Sequence, residues 1–209
     1  CLASGGAGGA AAARSALGMA ATAASTEPPA PSHRGALVTL LLRALDVRRE
    51  PPAGKCPAAA IDEVEGAAVS AFVTFSLQLT ETSFVPVFTQ VVEWAKARAA
   101  DAPAARTRLG ALFRLASSLA DALRAVFVPL AAPLLDLAAA ALDPVSDPAP
   151  SKKKKKKSAT GAAVDPAAIV AELDTWRMRT HALSCLRRLF VHDGGETLLD
   201  AGRFNQLHP

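Results

Sequence analysis

Apolar residues recur every three to four positions along six stretches of this chain, which is the spacing of amphipathic α-helices. The stretches are residues 33–50, 62–79, 84–97, 106–123, 129–142 and 166–193. In residues 62–79 the apolar positions almost surround the helix and leave a narrow polar stripe of Ser70, Thr74 and Gln78. The pattern therefore predicts an all-α protein with at least one helix that is nearly enclosed by its neighbours.

The tripeptide Phe-Val-Pro occurs twice, with Pro86 and Pro129 lying 43 residues apart. A helical pattern precedes and follows each copy. Proline suits the first position of a helix, where its missing N–H has no partner to lose, so each copy is predicted to mark a helix start. Pro133, one turn later, is predicted to kink the second of these helices. Hairpins that repeat every ~40 to 47 residues are typical of HEAT and armadillo proteins. We therefore predict HEAT-like helical hairpins stacked as a short solenoid.

The last stretch predicts one long helix. Asp165 is placed to cap it, Pro166 to open it, and Gly194 and Gly195 to end it. Its apolar residues repeat with helical spacing and predict a buried stripe. The members of this stripe are Ile169, Leu173, Trp176, Leu183, Leu186 and Phe190.

Composition divides the chain into five segments. Residues 1–32 are low-complexity Ala/Gly sequence and are predicted to be disordered, while residues 33–60 form an isolated helix and a connector. Residues 62–142 form two HEAT-like hairpins. Residues 143–164 form a Pro/Lys-rich linker, and residues 165–209 contain the long helix and the start of a further helical element.

One run of six lysines determines the sign of the net charge. The whole chain carries +4, and without the run it carries −2. The run consists of Lys152, Lys153, Lys154, Lys155, Lys156 and Lys157. It is a candidate import signal for the nucleus or a candidate contact for phosphate groups, and the alternative is a solvated loop. No aromatic residue interleaves the lysines, which limits any RNA contact to a salt-sensitive, sequence-independent attraction.

Arginines and tryptophans supply the other candidate interaction residues. A candidate basic edge consists of Arg177, Arg179, Arg187 and Arg188, which alternatively lie along a solvated helix face. Trp94 and Trp176 are candidate partner anchors, because tryptophan is enriched among residues that dominate binding energy. The alternative is that both tryptophans are packing residues.

No catalytic or metal-binding motif is visible in the sequence. Cys1, Cys56 and Cys185 form neither a close pair nor a C-x-x-C motif, which argues against a disulfide framework. His181 and Cys185 are four residues apart and provide half of a metal site, with no second pair nearby. There is no G-x-S-x-G, Walker A or H-E-x-x-H motif, and no carboxylate pair suited to acid–base chemistry. We therefore expect no catalytic residue, no cofactor, no metal and no small-molecule substrate.

Membrane insertion is not expected either. The longest apolar candidate, residues 125–135, is far shorter than the ~20 residues that cross a bilayer. The chain opens with Cys rather than Met, which predicts that it is part of a longer protein.

Three stretches in a specific order carry a family resemblance. They are "EVEGAAVSAFVTFSLQLTETSFVPVFTQVVEWAKA", "RLGALFRLASSLADALRAVFVPLAAPLLD" and, after the lysine-rich insertion, "ALSCLRRLFVHDGGETLLDAGRFNQLHP". Together they resemble the C-terminal domain of the HEAT repeat-containing protein 1 family, the large U-three small nucleolar RNA-associated solenoid proteins of the nucleolus. The resemblance covers residues 62–209 apart from the insertion.

The resemblance implies a non-catalytic scaffold in the nucleolus. In this interpretation the chain acts in the small-subunit processome during pre-ribosomal RNA processing, with a link to ribosomal RNA transcription. Its partners are other processome proteins, together with pre-ribosomal RNA or U-three small nucleolar RNA contacted directly or indirectly. A basic RNA-binding module centred on the lysine run and an unrelated HEAT-type adaptor are the alternative interpretations.

Overall fold

The computed structural model describes residues 31–49, 57–97, 102–143, 166–195 and 197–198. Over these residues the chain forms six α-helices, three short 3-10 helices and no strand. The α-helices are α1 (Pro31–Leu45), α2 (Ala58–Leu77), α3 (Glu81–Lys96), α4 (Ala102–Leu123), α5 (Ala132–Leu142) and α6 (Pro166–His192). The all-α, solenoid-like fold class predicted from the sequence is confirmed. Three predictions lie outside the described residues: disorder of residues 1–30, the lysine-rich linker and the element after residue 198. Residues 31 and 32, which were included in the segment predicted to be disordered, begin helix α1.

Helix α4 lies at the centre of the packed body, because α2, α3 and α6 all contact it. Its apolar residues cover more than one face and are all at most 5% exposed. They are Ala111, Leu112, Phe113, Leu115, Ala116, Leu119 and Ala120. A helix that is apolar on nearly every side is stable in water only when neighbours surround it. The packing of α2, α3 and α6 around α4 meets this requirement.

Helix α1 packs against α2 and α3. Val38, Leu41 and Leu45 lie on one face of α1 and are buried. A 3-10 helix, Asp46–Arg48, continues the chain from its end. The helix predicted as isolated in the segment 33–60 therefore belongs to the packed body.

The most extensive contact between helices joins α4 to α6. Gly110 on α4 is buried, and a Cβ atom built at this position would lie 3.6 Å from the Cα atom of Met178 on α6. The absence of a side chain at residue 110 thus allows the two backbones to approach closely. The sequence pattern predicted α6 but gave no indication that α4 is its main partner.

The two Phe-Val-Pro sequences lie next to each other in the folded chain. Phe127 is fully buried, and its ring centroid lies 6.3 Å from that of Phe84 and 5.0 Å from that of Phe88 on α3. The contact with Phe88 has edge-to-face geometry, which is favourable for aromatic pairs. This cluster fixes the turn after α4 against α3.

The prediction that Pro86 starts a helix was wrong. Helix α3 begins at Glu81, five residues earlier, and Pro86 lies inside it. Pro86 removes the N–H that would bond to the carbonyl of Thr82, and both residues are exposed, so this carbonyl is accessible to water. The cost of a proline in the helix interior is reduced here because the affected carbonyl faces solvent.

The second proline region also differs from its prediction. Helix α4 ends where Arg124 adopts a left-handed backbone with φ 52°, and two 3-10 helices follow, Arg124–Val126 and Val128–Leu130. Pro129 lies in the second 3-10 helix, and Pro133 lies in the first turn of α5. Pro133 therefore occupies a position where an N–H is not needed, and the predicted kink is absent.

The predicted buried stripe of α6 was mostly wrong. Leu186 is buried and Phe190 is half-buried, but Ile169, Leu173, Trp176 and Leu183 are each more than half exposed. The face that contacts α4 carries Met178, Ala182, Cys185 and Leu189. Helix α6 is apolar on two opposite sides, and the side that faces α4 lies against Gly110 at the backbone of Met178.

The end of α6 is fixed by a carboxylate. Helix α6 ends at His192, as the glycines at 194 and 195 predicted, and the Asp193 carboxylate accepts hydrogen bonds from the backbone N–H groups of Thr197 (3.0 Å) and Leu198 (2.8 Å). These bonds lower the pKa of Asp193 because they favour its charged form. The turn brings Leu198 into the apolar core.

Substitutions at Gly110 test the close approach of α4 and α6. We expect Gly110→Ala to change the free energy of unfolding by no more than ~1 kcal/mol, because its Cβ lies at ordinary contact distance and alanine favours helix. We expect Gly110→Leu to lower the free energy of unfolding by ~1 to 3 kcal/mol, because the added atoms overpack the contact. Urea unfolding of both variants measures this difference. Equal stability of the two variants would show that the helices are further apart.

Candidate functional site

A buried carboxylate joins three parts of the chain. Glu65 on α2 is 5% exposed and accepts hydrogen bonds from Arg48 of the first 3-10 helix, with Nε to Oε1 at 3.0 Å and Nη2 to Oε2 at 2.9 Å. It also accepts a hydrogen bond from Arg114 Nη1 on α4, at 3.1 Å to Oε2. A carboxylate shared by two guanidinium groups requires all three elements in one arrangement, which makes this contact specific.

Neighbouring residues extend this ion-pair cluster towards α6. Arg48 also donates to the carboxylate of Asp62, one turn before Glu65. Arg177 on α6 lies 3.8 Å from the same carboxylate, measured from Nη2 to Oδ1. Gly66 leaves room for the guanidinium of Arg114, because a Cβ atom there would lie 3.1 Å from Arg114 Nη2.

A second polar cluster surrounds Arg108 on α4. Arg108 is 8% exposed and donates to both carboxylate oxygens of Asp46, from Nε at 2.8 Å and from Nη2 at 2.5 Å. Its Nη1 donates to the backbone carbonyl of Trp94 at 3.1 Å. The guanidinium also lies 4.9 Å from the centre of the Trp94 ring, within cation–π range. The cluster fixes the end of α1 against α3 and α4.

The cleft beside Glu65 is too small for a metabolite. It lies between α2, α4 and α6 and has a volume of about 10 Å³, which is room for about one water molecule. Its ionisable lining consists of Arg48, Glu65, Arg106, Arg114, Asp174, Arg177 and His181. The geometry therefore indicates a packing junction rather than a ligand pocket.

His181 and Cys185 do not form a metal site in the described part of the chain. Burial and the nearby Arg114 guanidinium lower the pKa of His181, and burial raises the pKa of the Cys185 thiol to about 12. A protonated, buried thiol is a poor metal ligand. Among the described residues, no group of three or more His, Cys, Asp or Glu side chains is arranged to hold a metal ion. None of the described helices has the length and hydropathy to cross a membrane.

The two candidate partner anchors occupy different environments. Trp94 is half-buried, contacts Arg108, and lies with its Nε1 3.4 Å from Asp46 Oδ2. It therefore packs within the body. Trp176 is 67% exposed on α6, so its indole ring is accessible to a partner.

Three of the four candidate basic-edge arginines contact acceptors within the chain. Arg177 pairs with Asp62, and Arg188 pairs with Asp121 on α4. Arg179 donates from Nε to the carbonyl of Ala141 at 3.2 Å, at the end of α5. Arg187 is exposed. The role of the four arginines as a basic edge stays a prediction, as does the role of the lysine run, which lies outside the described residues.

Sequence reasoning missed an apolar groove between α3 and the proline turn. The groove is open and has a volume of about 260 Å³. Its apolar lining consists of Val85, Phe88, Val92, Pro129, Leu130 and Pro133. The two Phe-Val-Pro copies were a signal for it, because both supply groove residues, but their contact in space was not apparent from their spacing.

Sequence reasoning also missed the two polar clusters. Glu65 lies at a helix position flanked by apolar residues one turn away on either side, and Arg108 lies within an apolar pattern of α4. Charged residues on an apolar helix face are buried only when paired, so these two positions could have predicted buried ion pairs. Their partners, Arg48 and Asp46, lie within the helix predicted over residues 33–50, but the spacing of its apolar residues did not indicate what these two side chains contact.

Comparison with known proteins identifies a family over most of the chain. A family model described as the BP28CT (NUC211) domain matches residues 30–198. An uncharacterised protein of Arabidopsis thaliana is 30% identical over 181 residues, which are 84% of this chain and 8% of that protein. HEAT repeat-containing protein 1 of Danio rerio is 31% identical over 104 residues, which are 50% of this chain and 4% of that protein. The chain thus spans less than a tenth of the length of these relatives.

These similarities confirm the resemblance predicted from the order of the apolar stretches. No solved structure matches the chain.

Removal of the shared carboxylate tests the cluster around Glu65. We expect Glu65→Gln to lower the free energy of unfolding by ~2 to 3 kcal/mol, because Arg48 and Arg114 lose their charged acceptor in a buried place. Glu93→Gln is the matched control, since the Glu93 side chain is 65% exposed and pairs with Lys96 at the surface. We expect the control to lose at most ~1 kcal/mol. Similar losses in both variants, measured by urea unfolding, would contradict the structural role of Glu65.

The lowered pKa of His181 predicts a stability change with pH. The unfolded chain binds a proton at this residue near the ordinary pKa of 6.5, whereas the folded chain resists protonation. The free energy of unfolding therefore falls as the pH decreases through 6.5, and this contribution is absent above it. We expect the loss between ~pH 7.5 and ~pH 5.5 to be smaller in His181→Gln than in the unmodified chain. The same loss in both proteins would rule out a contribution from His181.

Proposed function

Because the chain belongs to the BP28CT (NUC211) domain family, we propose that it is a non-catalytic scaffold segment of a nucleolar ribosome-biogenesis factor. In this proposal the segment acts in the small-subunit processome during pre-ribosomal RNA processing, and the longer protein also supports ribosomal RNA transcription. The proposal places the protein in the nucleus and nucleolus.

The observation that carries the proposal is the extent of the family match. The matched residues 30–198 include every described helix and end at the buried Leu198. The family is therefore defined by the helical body as a whole rather than by a short motif around one pocket. A helical body whose function depends on its surface is typical of scaffold proteins built from stacked helices.

The geometry favours protein partners over direct RNA contact. The exposed Trp176 and the apolar groove between α3 and the proline turn are surfaces suited to other proteins. Arg177, Arg179 and Arg188 contact acceptors within the chain, which reduces the positive charge available to phosphate groups. We therefore propose that other processome proteins are the direct partners, and that pre-ribosomal RNA and U-three small nucleolar RNA are contacted indirectly.

The lysine run is assigned a separate role in this proposal. Residues 152–157 supply six positive charges in one run. Runs of this kind are typical of nuclear import signals. We propose that the run directs the longer protein to the nucleus and is not needed for assembly once the protein is there.

Affinity purification of the longer protein tests the proposal. The tagged protein is compared with a variant that lacks residues 62–209 and carries an unrelated import signal, because the deletion also removes the lysine run, and with a variant in which residues 152–157 are changed to glutamine. We expect the intact protein to retrieve U-three small nucleolar RNA, pre-ribosomal RNA and processome proteins, and the deletion to lose them. We expect the glutamine variant to accumulate outside the nucleus and to regain retrieval when an unrelated import signal is attached.

Two controls keep the result interpretable. Leu77→Ala changes a residue of α2 that is 53% exposed and lies outside the groove, so it is expected to retrieve the same particles, and all variants are compared at equal soluble protein levels. Retrieval of stable protein partners without either RNA would indicate an unrelated HEAT-type adaptor and contradict the processome role. Failure of the glutamine variant to retrieve RNA from inside the nucleus would indicate an RNA-binding role for the lysines.

A further inference from the structure

The exposed side of helix α6 is largely apolar, and we call its row of apolar residues the outer stripe. Its members are Ile169, Leu173, Trp176, Leu183 and Val191, each more than half exposed. The spacings of four, three, seven and eight residues place all five on the side opposite the one that packs on α4. The outer stripe extends over ~33 Å, because each helical residue adds ~1.5 Å.

Two opposite charges lie along the outer stripe. Among the exposed residues of α6 that the structure describes, Glu172 and Arg187 are the charged ones. No ion pair joins either of them to another residue of the described ranges. They are 15 residues apart, so they lie within ~60° of each other around the helix. The stripe therefore has a free acid near its start and a free base near its end.

The other charged residues of α6 face the body of the protein. Two of them line the cleft beside Glu65, one donates to a carbonyl at the end of α5, and one pairs with a carboxylate of α4. They are, in this order, Asp174 with Arg177, then Arg179, then Arg188. Glu172 and Arg187 thus determine the charge pattern that a partner of the stripe meets.

An antiparallel copy of α6 matches this pattern. In an antiparallel pair, residues equally distant from the centre of symmetry face each other. The midpoint between Glu172 and Arg187 is also the midpoint between Trp176 and Leu183. One alignment therefore places Glu172 against Arg187 of the second copy and Trp176 against Leu183 of the second copy. Two-fold symmetry repeats both contacts, which is the self-complementarity that a symmetric dimer requires.

Other partner helices match the stripe less well. A parallel copy would place Glu172 against Glu172 and Arg187 against Arg187, and like charges oppose such contacts. A partner helix with only acidic or only basic flanks would attract one of the two residues and repel the other. The charges therefore favour the antiparallel second copy over these alternatives.

We propose that the outer stripe is an antiparallel dimer interface between two copies of this chain. The inference goes beyond the proposed scaffold function and does not depend on it. A dimer presents every other surface of the body twice, including the apolar groove between α3 and the proline turn, which contains no residue of α6. Contact through one helix from each copy covers less than the ~1,600 Å² of a standard interface, so the dimer dissociates at ~micromolar concentration.

Sedimentation equilibrium of the 209-residue chain over ~1 to ~200 µM tests the inference. We expect the average mass to rise with concentration from 21.5 kDa towards twice this value. We expect Trp176→Ala to raise the dissociation constant roughly tenfold or more, since tryptophan often dominates an interface. Leu77→Ala on α2 is the matched control, because Leu77 is 53% exposed outside the stripe, and its dissociation constant is expected to be unchanged.

Charge reversal tests the antiparallel alignment. We expect Glu172→Arg alone and Arg187→Glu alone each to raise the dissociation constant roughly fivefold or more, because each creates two contacts between like charges. The double variant restores both ion pairs in the antiparallel dimer, so we expect its dissociation constant to return to within about threefold of the original value. Both side chains are exposed, and all variants are expected to keep the melting temperature of the unmodified chain.

Four results would overturn the inference. A chain that stays monomeric at every concentration has no such dimer, and a monomer that binds phosphatidylserine vesicles through Trp176 would instead indicate a membrane surface. A dimer that Trp176→Ala leaves unchanged uses another interface. A double charge reversal that fails to restore association would exclude the antiparallel alignment. The measurement contains no RNA and no processome protein, so its outcome is independent of the retrieval experiment.

Discussion

The enclosure of α4 is the constraint on which the rest of the structure depends. Its apolar residues cover more than one face, so α2, α3 and α6 must all lie against it to remove that surface from water. Gly110 then allows the backbone of α6 to approach closely at Met178, on the side that also buries Ala182, Cys185 and Leu189. The apolar residues on the opposite side of α6, including Trp176, are left exposed. The surface available to a partner is thus a consequence of how the core is packed.

The polar clusters add specificity to this apolar packing. Apolar contacts alone permit several arrangements of helices around α4, but Glu65 and Arg108 each require named partners from other elements. A charged group buried without its partner is costly, so alternative arrangements that separate these pairs are disfavoured. The 3-10 helix that follows α1 belongs to both clusters, through Asp46 and Arg48. Nothing in the sequence indicated this, because α1 appeared isolated.

The sequence was informative about elements and less informative about their contacts. Periodicity predicted all six helices, and Pro166 with Gly194 and Gly195 correctly bounded α6. The predictions that Pro86 and Pro129 start α-helices were wrong, because proline is also tolerated where the affected carbonyl faces water and in a 3-10 helix. The buried side of α6 was misjudged because both of its sides are apolar, and the selection between them depends on Gly110 of another helix. The clusters around Glu65 and Arg108 depend on contacts distant in sequence, which periodicity does not report.

Hydrogen–deuterium exchange of the 209-residue chain tests the central role of α4 most directly. If α4 is the enclosed helix around which the others pack, its backbone amides between Gly110 and Ala120 exchange more slowly than those of α1 and α5, and the facing part of α6 shares this protection. Exchange in α4 that is as fast as in α1 or α5 would contradict the account, because it would mean that the helix opens without unfolding the body.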